Sequence, residues 1–518
     1  MDFDLIVRGG LVVDGTPAAT PRRADVGIRG ERIVAVGVLT DAGAPLEITA
    51  EERAVAPGFI DPHVHSETAL RGNADRFGAL LQGVTTHLTG ADGFGWAGLP
   101  DDAAAALWRS TSFAYGDPDA RPSWATPAAY LDSFGGLPLN VAAMAPHQAI
   151  RFGVLGWDAR RATHDEILAM RRATNAWMDA GALGLATGLD YQPAASASTD
   201  ELVALCEEVA RFGGLYAPHQ RYNEIGRPAA YAESIEVGRR AGTRIAIAHE
   251  FVDDETEPIL TEASRDLDIS IDWYLYPAGS THLLSLLPVA EQVGGPDAIR
   301  DRLGDGDYRR RVAGLLEAAL AESSKSGARE YFSATRTGRH IGLSIAEVAA
   351  GSGKPMGEAA VDLLIEEMPD ALLVYRRGTP PGAFAAITRR TLAWPGFMVA
   401  SDGIYHGARP HPRGFGCFAR VLGEFVRREG ALELGDAVHR MSGFAAMRYG
   451  LRDRGRVEPG FAADLVVFDP ATVDGPASWE DPRRPPTGID VVIVNGTLAV
   501  DHGAPTGQLA GRVLRRGD

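Results

Sequence analysis

Two histidines one residue apart, His63 and His65, end an apolar run that begins at Ala54. In an extended strand the side chains of residues i and i+2 point to one face. Both imidazoles therefore leave a strand end together, as two ligands of one metal must. Histidine is the commonest metal ligand, and zinc accepts nitrogen donors readily. An isolated pair of this kind is as readily two solvated histidines, so further donors at later strand ends decide the matter. The sequence supplies four. His219 closes Gly214–Pro218, His249 closes Arg244–Ala248, Asp92 follows Thr85–Gly90, and Asp402 closes Phe397–Ser401. Each ends a β-like run and is followed by loop.

Three or four nitrogen and oxygen donors hold Zn²⁺ while leaving a position open for water, the mark of a catalytic rather than a structural site. A cation held this way acidifies water and polarises a carbonyl. A carboxylate beside that water can take its proton and later pass it to a departing amine. Asp402, between an apolar strand and the Gly403 loop, suits this acid/base role.

The elements that position these donors alternate in type. Strand candidates are Ala54–His63, Thr85–Gly90, Pro138–Pro146, Leu183–Thr187, Gly214–Ala217, Arg244–Ala248, Ile269–Tyr274 and Phe397–Ser401. Helical stretches separate them, including Asp165–Asp179, Thr199–Arg211 and Pro228–Arg240. The first two open on Thr163-x-x-Glu166 and Ser198-x-x-Glu201, both capping-box patterns. Eight strands with crossover helices predict a (β/α)8 TIM barrel within the α/β class, with functional residues at the C-terminal strand ends. A doubly wound open sheet is the alternative, but no Gly-x-Gly-x-x-Gly turn follows the first strand.

Short glycine-punctuated strands occupy residues 1–56, and a similar pattern recurs over 459–518. Each is too small to keep its own core, so the two ends are expected to pair into one small β-sandwich beside the barrel of 57–458. Within that barrel, residues 282–395 form a long excursion with charged helical segments, either a lid over the mouth or a decorative subdomain.

At 518 residues the chain fits one large domain with a smaller companion. Its apolar content of 45% and charged content of 23% are those of an ordinary globular protein. A formal charge of −17 argues against nucleic acid or an anionic membrane as partner. Two cysteines, Cys206 and Cys417, are too few for a disulfide framework and fit a reducing cytoplasm. The N-terminus lacks the basic and apolar regions of a signal peptide, and no apolar run reaches membrane-spanning length.

With His63-Val64-His65 after Pro57-Gly58-Phe59-Ile60-Asp61, two later single histidines and Ser401-Asp402-Gly403, the chain resembles the amidohydrolase superfamily. Within it, the similarity is to the D-aminoacylase (N-acyl-D-amino-acid deacylase) branch. Gln82–Thr86, Gly184–Leu189, Arg409-Pro410-His411-Pro412-Arg413 and Ala462–Val466 support this nearly end to end, most weakly through 282–395. The resemblance implies a zinc-bearing barrel with a composite β-sandwich. It implies that His219 and His249 hold the tighter metal with a bridging residue at 92, and that His63, His65 and Asp402 surround a weaker second site. It gives Asp402 the general-base role and Arg413 the grip on the substrate's α-carboxylate, for which a planar guanidinium is suited. The best-known members carry cysteine where this chain has Asp92, a harder zinc ligand. They often carry lysine where this chain has Phe251.

His147, in Pro146-His147-Gln148 at the third strand end, is either a donor to the developing oxyanion or structural support. Tyr191, Arg221, Tyr274 and Tyr276 follow strand ends and are candidate substrate contacts. The expected activity is zinc-dependent hydrolysis, with one or two ions, of the amide of a small N-acyl-D-amino acid. The alternatives are a cyclic amide or imide hydrolase or a dipeptidase on the same frame, and, from another class, a barrel scaffold without catalysis.

Overall fold

The computed structural model describes residues 2–72, 74–116 and 124–517. Eight parallel segments form the barrel: Phe59–Asp61, Val84–Thr89, Asn140–Ala143, Gly184–Gly188, Leu215–His219, Arg244–Ile247, Ile269–Trp273 and Phe397–Val399. Hydrogen-bonded ladders run from Gly184–Gly188 through Phe397–Val399 and from Phe59–Asp61 through Asn140–Ala143. Leu183 N–H to the Ala143 carbonyl joins the two groups (2.9 Å). The ring closes where Gly403 and Ile404 pair in parallel with Val64 and His65. The (β/α)8 expectation is thus met, with every one of the eight expected strands in the ring. The strands read as apolar runs because helices cover them outside and side chains fill them inside.

The first expected strand, Ala54–His63, is divided. Ala54–Pro57 belongs to the terminal sheet and Phe59–Asp61 to the barrel. Gly58 marks the crossing, where a Cβ would stand 2.2 Å from Thr85 Oγ1.

The terminal strands form one nine-stranded sheet, in which Leu465–Phe468 pairs antiparallel with Ala54–Pro57 and so joins the chain's two ends. The sheet curls until Ile33 bonds back to Phe461 and Gly460, enclosing a core of Val7, Val26, Ile28, Val55, Leu465 and Ile493. The last residues leave this sheet. Val141 N–H reaches the Arg512 carbonyl and Leu514 N–H the Val141 carbonyl, so the tail lies along the third barrel strand.

The excursion after the seventh strand contains more sheet than its charged sequence suggests. Ala278–His282, Leu372–Arg376 and Arg329–Ala334 form a three-stranded antiparallel sheet, with helices Gly306–Lys325 and Met356–Glu367 packed together beside it. Val312, Leu316, Phe332, Val361 and Leu373 give it a core of its own. Its last helix, Pro381–Ala393, returns to the barrel through Phe384, Ile387 and Leu392. No helix among the described residues is long and apolar enough to cross a membrane.

Of the two capping patterns, Thr163 forms the reciprocal box with Glu166. Ser198 caps the Glu201 amide, but the Glu201 side chain turns inward to His147 and Arg151 instead of returning to its cap.

Candidate metal centre and cavity

Six side chains from four barrel strand ends and the loop after the second strand converge at one mouth. Around Asp92 Oδ1 stand His63 Nε2 at 3.4 Å, His219 Nδ1 at 3.4 Å and His249 Nε2 at 3.6 Å. His65 Nε2 lies 3.6 Å from the other Asp92 oxygen. Asp402 Oδ1 is 3.4 Å from His65 Nε2 and 3.8 Å from His63 Nε2. All six are buried.

These spacings test whether a cation fits. Tetrahedral donors each ~2.1 Å from zinc stand about 3.4 Å from one another. Two overlapping groups bring their donor atoms within 4.8 Å of one another, His63–Asp92–His249 and His63–His65–Asp402. His219 Nδ1 adds to the first, 2.7 Å from His249 Nε2. His63 Nε2 and Asp92 Oδ1 are buried without a hydrogen-bond partner, which a buried polar atom rarely is unless something else occupies it. The donor set fits one or two divalent ions.

Local backbone conformation helps to aim the donors. Asp92, His249 and Asp402 have φ of 55°, 40° and 46°, in the left-handed region that side chains other than glycine seldom occupy. The sharp turn after each strand directs the side chain back over the barrel axis. Such strain gathers at functional sites, where the surrounding fold holds it in place.

Partners behind the histidines fix their rings. Tyr115 Oη is 3.0 Å from His65 Nδ1, Asp190 Oδ2 is 3.4 Å from His219 Nε2, and Asp272 Oδ1 is 3.7 Å from His63 Nδ1. Asp272 also accepts the His249 N–H at 2.9 Å, and Asp61 accepts the amides of His63 (3.3 Å) and Ser401 (3.0 Å). Groups of this kind orient metal ligands and set their tautomers. Sequence reading missed them. Asp272 carried the one usable signal, as the only carboxylate in the apolar run Ile269–Trp273.

Electrostatics follow from this crowding. Burial alone raises a carboxyl, yet Asp402 is held well below the usual range by the Arg413 charge, a hydrogen bond from His65 and the charges of His63 and His249. Asp92 is likewise held low against burial, chiefly by His219 and His63. Burial disfavours the imidazolium of His63, but Asp272 and Asp92 push it up to about 9, and Asp92 and Asp190 push His219 up to about 10. The cluster is a place of strong negative potential, suited to a cation.

A cavity of about 600 Å³ opens over the cluster. His65, Asp92, His219, His249 and Asp402 form its floor, with Phe94, Tyr191, Tyr222 and Tyr274 around them. The excursion supplies the opposite wall through Ser323, Tyr375 and Arg377.

The other expected contacts divide. Tyr191 is on the wall, its ring 4.9 Å from His219 and its hydroxyl 3.4 Å from Thr281 Oγ1. Tyr276 is not. Leu275, with φ of 60°, breaks the strand alternation after Tyr274, and Tyr276 packs instead against Arg420 and His411. Arg221 is also turned away, donating to Glu233 at 2.7 Å and to the Ala195 and Ala197 carbonyls at 2.9 Å each. Its guanidinium is spent on holding the loop after the fourth strand. His147 is fully buried, with Nε2 3.1 Å from Glu201 Oε1, and does not line the cavity. Arg413 reaches the site but lies beneath its surface: Nη1 is 2.8 Å from Asp402 Oδ2 and the guanidinium stacks on Tyr274 at 4.3 Å.

Comparison with known proteins places this site in context. A family model described as "Amidohydrolase family" matches residues 304–500. The D-aminoacylase of Alcaligenes xylosoxydans xylosoxydans is 35% identical, over 99% of this chain and 98% of that protein. A D-aminoacylase structure described by its binuclear metal centre superposes with a TM-score of 0.83 at 34% identity, covering 99% of this chain and all of that one. An N-acyl-D-glutamate deacylase of Bordetella bronchiseptica, solved with zinc and a phosphonate mimic of the tetrahedral intermediate, gives 0.82 at 30% identity, with 99% and 100% covered. Matched along almost its whole length, with a metal-binding cluster at the barrel mouth, the chain belongs to the amidohydrolase family, in the branch of the D-aminoacylases.

Proposed function

We propose that this chain is a zinc-dependent deacylase of N-acyl-D-amino acids, cleaving the amide to a carboxylate and a free amino acid. The observation that carries the reading is the convergence of His63, His65, Asp92, His219, His249 and Asp402 within a few ångströms beneath an open cavity. The relatives named above act on such substrates or contain zinc, which supports the same reading. Zinc held by these residues would acidify water and polarise the acyl carbonyl.

The chain's own part is proton transfer and positioning. Asp402 presents Oδ1 to the histidines and the cavity while Oδ2 is held by Arg413. Held ionised, it takes the proton of the attacking water. As the carbon–nitrogen bond breaks, the same carboxyl gives that proton to the departing nitrogen. Tyr191 and Phe94 pack at 5.1 Å and wall the reacting group from bulk water.

The test is turnover of N-acetyl-D- and N-acetyl-L-amino acids beside hydantoin and dihydropyrimidine, with added Zn²⁺. Cleavage confined to the N-acetyl-D compounds is the expected result. Asp402→Asn should then lower kcat by about 10²–10⁴-fold. Undiminished turnover by that variant would end the base assignment.

A further inference from the structure

Four carboxylates line the cavity among the described residues, Asp92, Asp190, Asp402 and Glu322, against one arginine, Arg377, and no lysine. Asp92 and Asp402 belong to the donor cluster, where a divalent ion would offset their charge. Glu322 is exposed at the rim, 3.2 Å from Lys325 Nζ. Asp190 fits neither case. It is 4% exposed and is not one of the clustered donors.

Asp190 follows the fourth barrel strand, Gly184–Gly188, on a turn tied down by the Leu189 N–H to the His219 carbonyl at 2.9 Å. Its Oδ2 accepts the Asn223 side-chain amide at 2.8 Å and lies 3.4 Å from His219 Nε2. His219 turns its other nitrogen to Asp92, so the Asp190 carboxylate stands one imidazole's breadth outside the donor cluster. Among the described residues, Oδ1 is buried without a hydrogen-bond partner, and neither oxygen has an arginine or lysine at ion-pair distance. A buried carboxylate is costly until a cation or several donors reach it. Three other buried carboxylates show the usual solution: Glu201 has Arg151, Glu250 has Arg227 and Asp464 has Arg454.

The neighbours of Asp190 suit a cation. Tyr191, next to it in the chain, and Tyr222, next to Asn223, also line the cavity, their rings 4.9 and 5.2 Å from that of His219. Aromatic faces attract an ammonium or guanidinium, and a carboxylate supplies its counter-charge. An anionic group brought to the same place would be repelled.

We infer that Asp190 makes this enzyme selective for N-acyl-D-amino acids with a cationic side chain, of the lysine or arginine type. The ammonium or guanidinium pairs with Oδ1, the oxygen that the protein leaves unmatched. The inference rests on the deacylase reading of the same site and deepens it by naming the side chain.

The experiment compares zinc-loaded wild type and Asp190→Asn on two shape-matched pairs, N-acetyl-D-lysine with N-acetyl-D-norleucine and N-acetyl-D-arginine with N-acetyl-D-citrulline. Its readout is kcat/KM for the cationic member of each pair divided by that for the neutral one. Asparagine keeps an acceptor for His219, and any loss through that histidine lowers both members alike and cancels in the ratio. Wild type should favour the cationic members by ~10-fold or more. Asp190→Asn should shrink the ratio by about 10- to 100-fold, chiefly through KM. A wild type without cationic preference, or a ratio unchanged in Asp190→Asn, would overturn the assignment while leaving the deacylase reading in place. The first of these outcomes needs no variant to fold. If wild type cleaves none of the four compounds, the deacylase reading falls. Equilibrium binding of the same pairs then judges Asp190 by the same ratio, and absence of binding by wild type overturns both.

Discussion

Arg413 Nη1 stands 2.8 Å from Asp402 Oδ2, and the arginine is completely buried. The arginine expected from sequence to grip the substrate is thus paired with Asp402, the carboxylate proposed above for the proton transfer. One oxygen of Asp402 faces the histidines and the other is fixed from behind, so this carboxylate is held in one orientation.

Removing one member of a buried ion pair leaves the other charge uncompensated. Arg413→Met should therefore destabilise the protein by about 3–5 kcal/mol. The double variant with Asp402→Asn should recover part of that loss, because no unpaired anion remains. Urea unfolding in the presence of a chelator measures both, and strict additivity of the two substitutions would argue against the pairing.

Tyr115 holds His65 from outside the cluster, with its hydroxyl 3.0 Å from Nδ1. Tyr115→Phe keeps the ring that packs against Phe94 and Trp96 and deletes the hydroxyl, which bonds Glu67 as well as His65. Loss of such an orienting partner weakens metal binding by about 10- to 100-fold. A zinc titration against a competing chelator should show that loss, with the melting temperature of the metal-free protein nearly unchanged.

The donors differ in how many neighbours they share. Asp92 is approached by His63, His65, His219 and His249, whereas His65 and Asp402 adjoin the cluster from one side. His65→Ala should leave the His63–Asp92–His249 group able to keep one ion. Asp92→Ala should lose the metal altogether. Metal analysis after gel filtration distinguishes the variants. Zinc should also raise the stability of wild type, by about 2.7 kcal/mol at 100 times the dissociation constant, and not that of Asp92→Ala.

The barrel and the donors were legible in the sequence for a physical reason. Parallel strands buried on both faces read as apolar runs, and a polar ligand ending such a run stands out, as His219 and His249 do. What stayed hidden depended on where a side chain goes after it leaves the backbone. Tyr274 and Tyr276 have the same spacing as His63 and His65, but the left-handed Leu275 between them sends the second tyrosine away. His147 and Arg221 sit at strand ends yet are claimed by Glu201 and Glu233, carboxylates more than ten residues distant in sequence. Arg377 gave no signal, because which of two adjacent arginines faces a cavity depends on the register of a strand within an irregular excursion.

His282 offers a test of packing independent of the metal. It ends the strand Ala278–His282, stacks on Phe113 at 4.4 Å, and both ring nitrogens are buried without partners. Burial pushes its pKa from the ordinary 6.5 down to about 3. The unfolded chain therefore takes up a proton near pH 6.5 while the folded protein does not until about pH 3. The folded state is fully favoured above the unfolded value and loses stability as pH falls between the two, by at most about 1.4 kcal/mol per pH unit. His282→Phe keeps a ring stacked on Phe113 and removes the titration. Between pH 7.5 and pH 5, wild type should lose about 2 kcal/mol more than His282→Phe in urea unfolding. Groups common to both proteins cancel in that difference, so equal losses would show that His282 is not held neutral in the folded chain.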